Sequence, residues 1–382
     1  MNFWLITALY VSVGVLGIGV FIWGKGEGKS CFDRAYRVIC IHFPAALKWA
    51  LKKCFGPRAP AVLDAVWTYL CYKSNPIVQL FYLAVLVGGY IVFVIAGYSH
   101  VPSPMLSSHH KWTGFFVFFM CTWTWWKACS TDPGIVTPKN FEDLIEIWPW
   151  DEQIFSKQQC TTCDIPKPAR SKHCGMCGVC VAKFDHHCIW INNCVGVGNH
   201  KWFLLFLWWH LVICCYGGGM GLTIAYEIIR EKDLLNAVFI DPVTRQRQNA
   251  TYLVVGQYLL ATEGMLIFVT VLATVMGLVL CGFFLWHLYL VRQGTTTNEL
   301  SKWSYVRWIL KQEEEGAERL ASLKNIYNNG LRANFREVFF PIDVHQLPRQ
   351  LAQEARDGGK QGAKASQATA PRRGKNGKLK KT

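Results

Sequence analysis

The sequence is poor in charge. Asp, Glu, Lys and Arg make up 17% of its 382 residues, against roughly 25% in soluble globular chains. That shortfall excludes an ordinary soluble protein of two or three domains. Some stretches lack charge altogether. Residues 1–23 have none, and they also lack the basic n-region and small-x-small cleavage site of a secretory leader, so they read as a retained span. The charge that is present is lopsided, with 40 Lys and Arg against 25 Asp and Glu, a net +15. A mean hydropathy of +0.18 beside a pI near 9.1 sorts apolar and basic residues into separate stretches, as in membrane proteins. Disorder is excluded by the 52% apolar content, except in the Gly-, Ala-, Gln- and Lys-rich tail 349–382. A small disulfide scaffold is excluded by length, although 16 Cys require another explanation.

Five segments are apolar enough to cross about 30 Å of hydrocarbon: 1–23, 76–98, 112–126, 202–226 and 264–291. The third reaches across only if Lys111 and Lys127 snorkel outward. Lys and Arg crowd residues 24–75, the stretch 129–201 and everything after 290, whereas the loop near His100–His110 has neither beyond its flanks. The positive-inside rule then places 24–75, 129–201 and 292–382 in the cytosol, with the N-terminus and the loop 227–252 on the lumenal side. The sequon Asn249-Ala250-Thr251 agrees with that side. Residues 43–54 read as an amphipathic stretch lying on the membrane surface or against the bundle. The expected fold is an α-helical integral membrane protein of about five transmembrane helices, paired as 76–128 and 202–291. A cytosolic cysteine-rich domain, 129–201, lies between the third and fourth. A cytosolic segment, 292–348, precedes the tail.

Seven of the 16 Cys fall between 160 and 194: Cys160, Cys163, Cys174, Cys177, Cys180, Cys188 and Cys194, with His173, His186 and His187 among them. Reducing cytosol disfavours disulfides. Cys and His at intervals of two to four residues are how a short loop collects zinc ligands. Two closed tetrahedral sites need eight ligands, and this stretch offers ten. If the residues left over are His186 and Cys188, a thiol and an imidazole sit together beside Asp185: a nucleophile, a base and an orienter. The alternative is that all ten serve metal binding, or that one Cys is idle, in a non-catalytic membrane-anchored zinc-binding interaction module.

The run from Cys160 to Cys194, with Asp185-His186-His187-Cys188 and Ile189-Trp190-Ile191-Asn192-Asn193-Cys194, resembles the cysteine-rich domain of DHHC-type protein S-acyltransferases. Asp132-Pro133-Gly134, Thr296-Thr297-Asn298-Glu299 and Asn325 to Phe335 are similar to that family's DPG, TTxE and C-terminal aromatic/Asn motifs. The resemblance implies a palmitoyltransferase with two structural Zn2+ ions. One would be held by Cys160, Cys163, His173 and Cys180, the other by Cys174, Cys177, His187 and Cys194. It implies Cys188 as nucleophile, His186 as base and Asp185 as its orienter. Thr297 would support Asp185, and Asn334 would tie the C-terminal segment to the spans. Palmitoyl-CoA would be the acyl donor, its phosphates meeting Lys167, Arg170 and Lys172 and its chain running past Trp190. The extra N-terminal span and the run 167–174 resemble the fungal endoplasmic-reticulum subgroup, whose partners are the membrane and protein substrates with juxtamembrane Cys, SNAREs included. A related animal ER/Golgi subgroup is the alternative. Lys378-Leu379-Lys380-Lys381-Thr382 fits a retrieval signal for that membrane. Nucleic acid is not an expected partner, because the positive charge lies in membrane flanks.

Overall fold

The computed structural model describes residues 20, 28, 30–240, 245–313 and 316–343. The first expected span, 1–23, lies outside them but for Val20, and the tail with its retrieval signal lies outside them entirely. The chain divides into two compact units, Met1–Lys73 and Ser74–Thr382.

The first unit is helical. Ser30 and Asp33 form a reciprocal capping box that opens α1 (Cys31–Tyr36), satisfying two backbone donors at once. A π-helical turn, Arg37–His42, leads into α2 (Phe43–Phe55), which carries proline in its first turn. Gly56, at φ +84, ends α2 in a conformation only glycine takes freely. Pro57 caps α3 (Arg58–Tyr72). Phe43, Trp49, Phe55, Trp67 and Tyr72 are exposed on these helices.

The second unit is built on α4 (Ile77–Gly97), α5 (His109–Ser130), α7 (His200–Glu231) and α9 (Gly264–Arg292), with the short α6 (Phe141–Ile147) after α5. Among the described residues three helical segments are long and apolar enough to span a membrane: Ile77–His100, His200–Glu231 and Gly264–Arg292. The fourth expected span starts two residues earlier than its hydropathy suggests and runs through Glu231. The third expected span does form a helix, α5, whose 22 residues extend about 33 Å. It falls short on composition: Lys111 and Lys127 sit inside it, His109 and His110 precede them, and seven Thr or Trp positions between the two lysines dilute its hydropathy. It packs against α7 through the Cys121 thiol, which donates to the Trp209 carbonyl at 3.0 Å, and through Trp123 edge-on to Trp202. Helices α7 and α9 approach closely at Gly221, where a Cβ would lie 1.9 Å from Thr270 Oγ1, as small residues permit between spanning helices.

Between α5 and α7 lie three antiparallel hairpins: β1–β2 (Gln158–Cys160, Ile165–Lys167), β3–β4 (Lys172–Cys174, Val179–Val181) and β5–β6 (His186–Cys188, Asn193–Val195). The Asp132-Pro133-Gly134 turn docks them. Asp132 Oδ1 accepts from the Gly134 and Ile135 amides, the Gly134 carbonyl accepts from Ala182, and Gly198 donates to the Pro133 carbonyl. After α7 come a fourth hairpin, β7–β8 (Val238–Ile240, Arg247–Asn249), and α8 (Tyr252–Thr262), separated from α9 by Glu263. Past α9 follow α10 (Thr297–Leu310), α11 (Gly316–Ser322) and α12 (Leu331–Phe339).

Candidate active site

The three hairpins repeat at an interval of 14 residues. Cys160, Cys174 and Cys188 each end a first strand, and each pairs with the residue five positions on: Ile165, Val179 and Asn193. Each turn closes through a left-handed residue, Asp164, Gly178 and Asn192. The same interval separates His173 from His187 and Cys180 from Cys194, and each of these His faces its Cys across a ladder, His173 with Cys180 and His187 with Cys194. The turn thiols of one hairpin thus meet a strand pair of the next. Cys160, Cys163, His173 and Cys180 bring their ligand atoms within 4.8 Å of one another, and so do Cys174, Cys177, His187 and Cys194. His173 Nδ1 lies 3.6, 3.3 and 3.8 Å from its three sulfurs, and His187 Nδ1 lies 3.6, 3.3 and 3.6 Å from its own. Tetrahedral zinc with bonds of about 2.3 Å to S and 2.05 Å to N puts N and S about 3.6 Å apart. Both clusters could hold such an ion.

The third hairpin breaks the pattern. Where Cys163 and Cys177 stand in the first two turns, it has Ile191, which is fully buried beside Ala128, Val195 and Phe203. Cys188 therefore has no partner thiol in its turn. Side chains alternate along a strand, so His187 turns to the second Cys cluster while His186 and Cys188 share the opposite face. Both line a cavity of about 660 Å3 between α4, α5, α7 and α9, whose wall is overwhelmingly apolar and whose size is that of a small-molecule site. Trp190 lies at the same mouth, and Tyr98, Gly114 and Tyr216 line the cavity farther along the helices. Trp190 is fixed by its carbonyl, which accepts from Trp125 Nε1 at 3.2 Å.

Asp185 is 2% exposed. Its Oδ2 lies 2.6 Å from His186 Nδ1. A carboxylate can only accept, so Nδ1 donates and Nε2 is left free for Cys188, which acts with Asp185 on this imidazole. Helix α10 presents its first turn to the same carboxylate. The Thr297 amide donates to Oδ1 at 2.7 Å and the Thr297 hydroxyl to Oδ2 at 3.0 Å, where the helix dipole favours negative charge. Thr296 caps α10 with Glu299 and also donates to the Phe184 carbonyl. Burial works to raise the Asp185 carboxyl, but the bond to His186 and the facing His200 hold it well below the usual range. Burial likewise opposes charge on His186, and Asp185 with Cys188 outweighs it, holding the imidazole up at about 9.

Two further residues reach this carboxylate. His200, the first residue of α7, and His287, near the end of α9, bring their ligand atoms within 4.8 Å of Asp185. Neither was singled out in the sequence, because an isolated His in an apolar run reads as packing.

Arg170 requires a correction. Expected to face the phosphates of a donor, it is instead 0% exposed. Its guanidinium makes a bidentate pair with Glu299 at 2.6 and 2.9 Å, donates to the Gly294 carbonyl and reaches Glu337 at 3.4 Å. Lys183 joins Glu337 at 2.9 Å. Burial, with Arg170 close by, pushes the Lys183 ammonium down to about 8 despite that partner. Charge in the sequence carried no sign of burial: a guanidinium is bound wherever two carboxylates meet it, and Glu299 and Glu337 lie far along the chain. Lys167 and Lys172 do line a second, separate cavity with Lys302 and Tyr305. Asn334 donates to the Arg292 carbonyl at 3.0 Å and to Asn328 Oδ1 at 2.8 Å, joining α12 to the end of α9.

Residues 153–304 match the family described as DHHC palmitoyltransferase. The chain is 32% identical to Palmitoyltransferase swf1 of Schizosaccharomyces pombe, over 74% of this chain and 81% of that protein. It is 32% identical to Palmitoyltransferase SWF1 of Neurospora crassa, over 82% and 73%. With Palmitoyltransferase ZDHHC4 of Mus musculus it shares 34% identity over 59% of this chain and 64% of that one.

Proposed function

The chain belongs to the DHHC palmitoyltransferase family and is a protein S-acyltransferase, and from that premise we propose that it moves a fatty acyl group from acyl-CoA to target cysteines by way of acyl-Cys188. The observation that carries this reading is the Asp185–His186–Cys188 group at the mouth of an apolar cavity. In the first step the Cys188 sulfur attacks the acyl-CoA thioester carbonyl. His186 takes the thiol proton and returns it to the departing CoA sulfur, while Asp185 holds the imidazole in the tautomer this requires. In the second step a target thiol attacks acyl-Cys188, His186 accepts its proton, and Cys188 is released. One thioester is exchanged for another at each step, so orientation accounts for more of the rate than driving force does. Each CH2 of the acyl chain contributes about 0.8 kcal/mol on leaving water, which favours the cavity for the chain. Trp190 forms part of its entrance, and Lys167 and Lys172 are free to meet CoA phosphates in a way Arg170 is not.

Two Zn2+ ions, one in each Cys–His cluster, would supply four-point cross-links that hold the hairpins in register. Cys160, Cys163, His173 and Cys180 hold the first, and Cys174, Cys177, His187 and Cys194 the second. We further propose an endoplasmic-reticulum membrane location with residues 129–201 and the C-terminus in the cytosol and the N-terminus lumenal. The targets are juxtamembrane cysteines of membrane proteins such as SNAREs. The positive-inside pattern and the likeness to the two fungal relatives support that reading. A Cys188→Ser chain offered an alkynyl palmitoyl-CoA analogue should take up no hydroxylamine-sensitive label; label at the wild-type level would sink the covalent step.

A further inference from the structure

We propose that Asp185, His200 and His287 form a third divalent transition-metal site, distinct from the two cysteine clusters, and that filling it slows acyl transfer. The slowing rests on the role given to Asp185 above; the binding does not.

The three residues come from three elements: the loop ahead of β5, the start of α7 and the last turns of α9. Their ligand atoms lie within 4.8 Å of one another, the same closeness that marks the two cysteine clusters. All three are buried, His200 at 3% and His287 at 2% exposure. Both ring nitrogens of His200 and Nδ1 of His287 have no hydrogen-bond partner among the described residues. Such orphaned buried nitrogens are costly. Phe203 and Phe283 stand edge-on to His287 at 5.0 and 4.6 Å, His186 lies 6.0 Å from it centroid to centroid, and Lys183 is the other charged group that faces His200. The carboxylate has room for a further partner. Oδ2 accepts from His186 and the Thr297 hydroxyl, while Oδ1 accepts from the Thr297 amide alone, so one of its roughly four acceptor sites is left over.

Two neutral imidazoles and a carboxylate suit zinc or its neighbours in the first transition row, with a coordination position to spare. An ion there leaves the Asp185–His186 hydrogen bond in place. It draws on the same carboxylate that orients His186, so the Oδ2–Nδ1 contact that holds the imidazole toward Cys188 is weakened. It also ties the hairpins to two spanning helices.

The test uses the full chain in detergent micelles, dialysed against rising free Zn2+, with bound metal counted by mass spectrometry. We expect an increment of one ion per chain above the baseline set by the cysteine clusters, with autoacylation falling roughly fivefold or more as it fills. A baseline other than two ions would count against the two-zinc reading; a missing increment overturns the present one. Co2+ added to the zinc-loaded chain should give visible d–d absorption without thiolate-to-cobalt charge transfer. Charge-transfer bands would place the ion on cysteine and overturn the site without recourse to any variant. His200→Phe and His287→Asn should each abolish the increment and the inhibition; an increment that survives both overturns the assignment, and an increment without inhibition overturns the slowing.

Discussion

The second and third hairpins are built alike and end differently. In β3–β4 the turn carries Cys174 and Cys177, and both thiols face His187 and Cys194 of the next hairpin. In β5–β6 the corresponding turn carries Cys188 and Ile191, and no hairpin follows; α7 begins instead. One substitution in a repeat thus separates a cross-link from a reactive thiol. A cysteine with a second thiol three residues on, and two further ligands across the gap, belongs to a closed metal cluster. A cysteine with isoleucine there is left to its own strand face, where His186 stands two residues away. The same backbone serves both because strand alternation points His187 one way and His186 with Cys188 the other.

The comparison is broken most severely by exchanging the roles of the two thiols. Cys188→Ser should lower autoacylation by roughly a thousandfold or more while leaving the bound metal count unchanged. Cys174→Ser should lose metal and the folded hairpins together, seen as reduced metal content and loss of protease resistance in residues 129–201. Equal metal loss in both variants would erase the distinction.

Making the third turn like the second is the next step. Ile191→Cys gives Cys188 a neighbouring thiol without the rest of a cluster. We expect disulfide or adventitious metal to capture Cys188, so that autoacylation falls several-fold and returns with reductant and a mild chelator. A variant as active as wild type under air would mean that the missing turn cysteine is not what frees Cys188.

A smaller effect tests what the third hairpin has in place of a metal. Its support is α10, whose Thr297 holds Asp185 through amide and hydroxyl. Thr297→Val keeps the amide bond and removes the hydroxyl. A hydrogen bond to a charged group contributes about 1.5 kcal/mol or more, so a loss of roughly tenfold in the acylation rate is expected, with metal content intact.

The smallest effect is in pH dependence. Burial favours the neutral Glu337 carboxyl, but Lys183 and Arg170 hold it below its usual value of 4.5. A carboxylate whose folded pKa is depressed contributes stability that is present above that value and lost as pH falls through the folded one. Glu337→Gln should therefore lower the unfolding temperature at neutral pH, and the gap from wild type should narrow as pH drops below 4.5. A gap constant down to pH 2 would remove Glu337 from the buried charge network of Arg170 and Lys183.

The sequence carried much of this site. The spans at 77–97 and 264–292 are legible because hydropathy is local, and the cysteine clusters because these particular ligands lie close together in the chain. Counting ten candidate ligands against eight also left two over. Reading the interval of 14 would have said which two, since only the third repeat lacks its second turn cysteine. Arg170 was misread because sign of charge says nothing of burial, and His200 and His287 were passed over because neither has a neighbour in sequence that makes it a ligand.

Taken alone, then, the sequence determined what short-range chemistry determines: apolar helices, cysteines and histidines spaced for metal, and a Cys–His–Asp run with the right residue types. Only the tertiary structure decided which partners those groups meet. Thr297 reaches Asp185 across 112 positions, Glu299 meets Arg170 across 129, and two histidines from separate spanning helices converge on one carboxylate. Such pairings follow from packing helices around the hairpins, and no local pattern encodes them, because a buried charge is stabilised by whatever the fold brings to it.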